Sequence, residues 1–239
     1  MRKARVVLVV LIVGLLSAAF SQTQAQTAPP DLAGVYWATR YNAKLQLIGG
    51  GELPLTPAGK AAYDKNIAGL RDGSMIDEAR KFCLPDGVPR VLATPYPFQI
   101  FQQPNQVAMV HELNHQVRII PLKPVEKTFE VIALPHYNGH AFGRYEGDTL
   151  VIETIGFNEK TFLDATGAPH TDELHTIERI RKTSPTELEI TITVRDPAYY
   201  TRDWQARFVY TLRRDVKLED YICGEPHRDI SSVQGVRGQ

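Results

Sequence analysis

From Tyr96 to Arg213 the chain is written as short runs that alternate apolar and polar side chains at period two, and no other feature constrains its fold as strongly. That period belongs to a half-buried strand, whose successive side chains point to opposite faces. Phe98–Gln102, Val107–Glu112, Gln116–Leu122, His140–Tyr145, Thr149–Ile155, Leu174–Arg181, Leu188–Val194 and Arg207–Arg213 all have this character. In the clearest run Leu188, Ile190, Ile192 and Val194 face one way, and Glu189, Thr191, Thr193 and Arg195 the other, which gives one dry and one wet side. Turn residues separate the runs: Pro104-Asn105, Glu146-Gly147-Asp148 and Ser184-Pro185-Thr186. Eight or more strands joined by short turns predict a mainly β fold, an antiparallel meander that curls into a barrel or half-barrel.

Upstream of Tyr96 the pattern differs. Asp31–Thr39 reads as a first strand, with Val35 and Trp37 on one face, and Gly49-Gly50-Gly51 as a turn. Thr56-Pro57 is an N-cap followed by Pro at the first helical position, opening one N-terminal helix to Leu70 with Ala61, Ala62 and Ile67 expected to pack inward. No repeat or linker divides the chain, so residues 26–239 are expected to form a single barrel-like domain.

Residues 1–25 have a different purpose. Arg2, Lys3 and Arg5 precede an apolar run from Val6 to Phe20, and Thr23 and Ala25 supply the small residues of a cleavage site. This is the pattern of a secretory signal peptide, and the run is short of the ~20 residues a membrane span needs. The expected location is periplasmic or secreted, with no stable membrane insertion after cleavage. Removal of residues 1–25 leaves 24 basic residues against 27 acidic ones, a net charge of −3. Nucleic-acid binding is therefore not expected, because it needs a basic surface to neutralise phosphates. In an oxidising compartment the two cysteines, Cys83 and Cys223, are expected to pair.

Four stretches concentrate chemistry-bearing residues. His111-Glu112-Leu113-Asn114-His115 spells H-E-x-x-H, which on a helix would present two imidazoles to zinc with Glu112 as general base. In an extended strand, residues four apart lie about 13 Å apart, too far to share one ion. The second stretch, His136 to Asp148, is the densest: His140, Phe142, Arg144 and Glu146 share one strand face, with Asp148 in the turn. Such a face suits either a polar-bottomed pocket, where Arg fixes an anionic oxygen and His moves a proton, or a solvated outer surface. The third runs from Asp164 to His175 and offers His170 on a loop, and His175 on a strand with an inward orientation open to it. The fourth, Asp196 to Trp204, gathers Tyr199, Tyr200 and Trp204, fit to line an aromatic ligand or to close a barrel end.

Several of these stretches also carry a resemblance. Gly139-His140-Ala141-Phe142-Gly143-Arg144-Tyr145-Glu146-Gly147-Asp148-Thr149-Leu150-Val151 resembles the G-H-S-x-G-x-W-E-G-D-T-L-V signature of a group of secreted bacterial proteins of uncertain function. Leu53-Pro54-Leu55-Thr56-Pro57, Cys83 to Arg90, Glu178-Arg179, Asp196-Pro197 with Tyr200-Thr201, and Tyr221-x-Cys223-x-Glu225 fit it too. Tyr145 departs from the group's Trp, Asp203 from its Pro, and the segment after Ile120 lacks its D-G-R turn. The position of His111 is commonly aromatic in that group, without the rest of H-E-x-x-H. The resemblance implies a lipocalin-like β architecture.

Three functional classes follow. The favoured one is an exported, cofactor-independent enzyme (a lyase, hydratase or isomerase) acting on a small apolar or aromatic molecule. In it His140 and His170 are acid and base, Arg144 holds an oxyanion, Glu146 or Asp148 orients a His, and Phe142, His175, Tyr200 and Trp204 line the ligand. The second is a non-catalytic, lipocalin-like ligand-binding protein. The third is a zinc metallopeptidase built on His111-Glu112-x-x-His115.

Overall fold

A computed structural model describes residues 29–122, 134–221 and 223; the expected signal segment lies outside them. Among the described residues nine strands form one antiparallel sheet: β1 (Gly34–Ala38), β2 (Phe98–Gln103), β3 (Gln106–His111), β4 (Val117–Pro121), β5 (His140–Glu146), β6 (Thr149–Ile155), β7 (His175–Ser184), β8 (Glu187–Arg195) and β9 (Trp204–Arg213). Their spatial order is β4-β3-β2-β1-β9-β8-β7-β6-β5, so the first strand sits in the middle and the two edges, β4 and β5, curl toward each other. The result is a nearly closed, lipocalin-like barrel.

At the seam the edges come close without pairing. Gly143 on β5 is what allows this: a Cβ there would lie 2.7 Å from Ile120 Cγ2 and 3.0 Å from Leu122 Cδ2. A glycine inside a strand commonly marks such a close approach. The opposite wall, β6 to β9, is mostly apolar inside, with Glu178 of β7 as its one buried charge. Leu150, Ile152, Ile180, Leu188, Ile190, Ile192, Val194, Ala206 and Tyr210 are all at most 1% exposed.

The helix α1 (Pro57–Asp72) starts as its sequence dictates: Thr56 Oγ1 accepts from Gly59 N at 3.0 Å, and Pro57 takes the first helical position. Its inward face differs from the expected one. Gly59 and Tyr63 are buried, whereas Ile67 is 41% exposed. The reason is what the helix packs on. Gly59 lies against the Tyr199 carbonyl, Tyr63 Oη bonds Thr166 Oγ1 at 2.6 Å and Asn66 Nδ2 donates to Gly167 O at 2.9 Å. These partners are polar loops, so the apolar Ala61, Ala62 and Ile67 stripe is not the docking face. A short second helix, α2 (Glu78–Lys81), follows, and a 3-10 turn at Arg90–Ala93 brings Val91 and Leu92 into the core, where Tyr210 Oη donates to Leu92 O at 2.6 Å.

Cys83 and Cys223 form a disulfide across 140 residues, the pairing expected from the sequence. It is compatible with an extracellular or periplasmic location. Among the described residues no helix is long and apolar enough to cross a membrane.

Candidate functional site at the barrel seam

The loop before β5 is fixed by backbone bonds rather than by packing. His136 N donates to Gly156 O at 3.0 Å, and His136 O accepts from Asn158 N at 3.0 Å and Gly139 N at 3.2 Å. Gly139 turns the chain into β5 at φ +59°, where a Cβ would lie 2.8 Å from the Ile155 carbonyl. That geometry sets His136 against His140, ring centroids 4.6 Å apart and nearly perpendicular. His140 Nε2 lies 2.8 Å from the Leu134 carbonyl oxygen. A carbonyl only accepts, so this nitrogen is the donor.

His136 lines a cleft of 230 Å³ at the seam, whose walls include Val117 and Ile119 of β4, Tyr137, Asn138 and Ala141. Asn138 Oδ1 accepts from Gln116 Nε2 at 2.8 Å, and Gln116 Oε1 accepts from Asp86 N at 2.9 Å, so the cleft floor is braced from two loops. Val117 and Ile119 are each 49% exposed, while Arg118 between them turns inside. There Arg118 forms a two-pronged ion pair with Glu178 of β7, at 3.0 and 2.5 Å, with both side chains essentially unexposed. Arg118 Nη1 also lies 3.9 Å from Met109 Sδ.

His111 shares this interior. It is wholly buried, its ring 5.2 Å from that of Phe98, and burial first and Arg118 second push its pKa down to about 3. A neutral, enclosed imidazole is a packing group here. The H-E-x-x-H letters do not form a helix. The run leaves β3 at His111 and enters a 3-10 turn at Leu113–His115, with Asn114 at φ +54°. Its other members clasp the C-terminal segment: Glu112 Oε2 accepts from Glu219 N at 2.9 Å and His115 Nε2 from Tyr221 N at 3.2 Å. The two imidazoles thus diverge, one into the core and one to the surface, which removes the shared zinc face of the peptidase reading.

The other sequence-selected residues are scattered. His140, Phe142, Arg144 and Glu146 do share one face of β5, and it is the outer one. Arg144 pairs with Glu146 at 2.7 Å, and Arg179 of β7 pairs with the same carboxylate at 2.8 Å. Those two contacts, Arg179 first, hold the Glu146 carboxyl below its ordinary range. In register between the two arginines, Val151 is fully buried, so the pair of long side chains roofs an apolar residue. Asp148 accepts from Thr149 Oγ1 at 2.9 Å in the exposed turn.

His170 lies elsewhere, 5% exposed, between Thr161 Oγ1 at 2.8 Å from Nε2 and Thr171 O at 3.0 Å from Nδ1. Burial, outweighing these bonds, lowers its pKa. None of His140, Arg144 and His170 is a lining residue of the seam cleft. His175 is turned outward, not inward, and meets Glu153 at 3.0 Å, because Thr176, Glu178 and Ile180 occupy the inner face of β7. Tyr200 and Trp204 are 3% and 2% exposed, with Tyr200 Oη donating to Pro169 O at 2.7 Å. They close a barrel end, and Trp204 opens β9 instead of ending a loop.

Sequence reasoning missed His136 as a lining residue and Arg118 altogether. The signal for Arg118 was an arginine within an apolar run, Val117-Arg118-Ile119-Ile120, facing a Glu178 embedded in Ile177-Glu178-Arg179-Ile180. No protein-family model and no characterised protein sequence matches the chain.

Proposed function

We propose that the protein is an exported, cofactor-independent enzyme that moves a proton on a small apolar or aromatic molecule held in the seam cleft. The observation that supports this reading most is His136 at the cleft wall with the His140 ring packed against it. His136 meets the ligand, and His140, held by its Nε2 on the Leu134 carbonyl, stands behind it. Imidazole is the side chain best able to take and give a proton near neutral pH. Val117, Ile119 and Ala141 give the ligand an apolar wall, and Asn138, held by Gln116, offers a polar contact for an oxygen. Arg144 and His170, given roles on the sequence, have none in this scheme. The resemblance to secreted proteins and the disulfide both support a periplasmic or secreted location.

The test uses carbon acids directly. A panel of cyclic and aryl ketones is incubated with the protein in D2O, and loss of the α-proton signal is followed by NMR. The wild type should accelerate exchange of at least one member, and His136→Ala should slow it by about 10² or more, the usual scale for losing a general acid or base. A wild type that is inert toward the whole panel, yet binds members of it, points to the second reading, a non-catalytic carrier. That reading draws on the apolar walls of the cleft.

A further inference from the structure

A second cavity, of 430 Å³, lies where the chain between β1 and α1 leaves the barrel wall. Thr39 N still bonds Val209 O at 2.9 Å, and Leu47 rejoins β9 as a bridge to Ala206, with Ile48 N on Gln205 O at 2.8 Å. Between these two points residues 40–46 form a strap that bows away from β9. What draws the strap off is on its far side. Leu45 N donates to the buried Asp164 carboxylate at 3.0 Å, and Ala43 O accepts from Ala165 N at 3.0 Å. The gap is therefore built into the fold, held open by the 164–165 loop. Strand alternation sends the Gln205 and Val209 carbonyls toward the strap, so it sends the Arg207 peptide into the gap as well.

The lining has a consistent chemistry. Arg40 and Lys44 of the strap and Arg207 of β9 supply three cations, no lining residue is acidic, and Leu45, Phe208 and Ala93 supply an apolar floor. The chain as a whole carries equal numbers of basic and acidic residues, so this excess is local. Two of the cations have carboxylates nearby: Lys44 meets Glu52 at 2.8 Å, whereas Arg207 has Glu189 only at 3.9 Å. Two guanidinium groups with a strand peptide facing the gap suit an anionic oxygen head, and the floor suits a hydrocarbon body.

We infer that this strap pocket is a binding site for an amphipathic organic anion, a carboxylate or phosphate monoester carrying a short apolar tail. It is separate from the seam cleft and does not depend on the activity proposed there.

Octanoate and octyl phosphate, with octanol and inorganic phosphate as controls, are titrated into the purified protein by calorimetry. One or both amphipathic anions should bind at one per chain, and which of them binds identifies the head group. Octanol and inorganic phosphate should each be at least about tenfold weaker, the scale of losing one charge-assisted hydrogen bond or its equivalent in apolar contact. Arg40→Gln and Arg207→Gln should each weaken the bound anion about tenfold on the same grounds, with Tm unchanged because neither side chain is buried. His136→Ala should leave the affinity as it is. The inference fails if neither anion binds, if octanol matches them, or if the arginine variants bind like wild type. It also fails if His136→Ala removes binding, since the ligand would then occupy the seam cleft.

Discussion

The two walls of the barrel follow opposite rules. Along β8 the inner face is Leu188, Ile190, Ile192 and Val194, all unexposed, and the outer face is polar. Along β4 the rule is broken: Val117 and Ile119 face solvent, while Arg118 faces the core beside Ile120. Period-two alternation says which residues share a face. It identifies the inner face only where no charge is buried. On β4 and β7 the Arg118–Glu178 pair decides instead, and its cost is offset by mutual pairing in a low-dielectric interior. The pair ties β4, an edge strand of the open seam, to β7 across the barrel interior, and the candidate site lies at that opening.

Removing one partner should give the largest effect. Glu178→Ala strands a buried guanidinium and should cost about 3–5 kcal/mol in urea unfolding. Replacing both, as Arg118→Met with Glu178→Leu, should recover most of that loss. On the dry wall Ile190→Val should cost only about 1 kcal/mol. A Glu178→Ala cost no larger than that of Ile190→Val would erase the contrast between the walls.

Next in size is the disulfide. Replacing Cys83 and Cys223 by Ala frees a loop of 140 residues, and the expected loss is about 2–5 kcal/mol. Gly143→Val follows, at about 1–3 kcal/mol, since its side chain must displace Ile120 and Leu122 at the seam. The same substitution should alter the cleft, where a matching change on the dry wall would not.

The buried imidazoles give a pH signature. The native pKa of His111 lies near 3 and its unfolded value near 6.5. Between the two, the unfolded chain binds the proton and the native one does not, so stability falls as pH drops from about 6.5 to about 3, by at most about 1.4 kcal/mol per pH unit. His170 is shifted in the same direction and adds to the slope. His111→Phe should flatten the part due to His111 and cost little at pH 7, because its Nε2 has no partner to lose. Unchanged acid sensitivity in that variant would show that His111 is not enclosed. The smallest effect belongs to Arg144→Ala on the outer face, which should leave folding unchanged within error.

Most of the architecture was legible because strand patterns and turns are local. The eight runs read from Tyr96 onward all became strands, and Thr56-Pro57 opened its helix as written. The site was less legible for a topological reason. His140 stands out in the sequence, and the ring beside it in the fold is that of His136, brought alongside by the Gly139 turn and not by strand spacing. Alternation grouped His140 with Arg144 correctly and carried no sign for inside or outside. His170 drew notice as a loop histidine, and only the fold reveals Thr161 against it.

The central claim is that small-molecule chemistry takes place at the seam and not within the dry wall. It is tested most directly by methyl-resolved NMR during titration with the ketone panel. Shifts should appear at Val117, Ile119 and Ala141 and leave Ile190 and Ile192 unmoved. Shifts at Ile190 and Ile192, with the seam methyls silent, would contradict it.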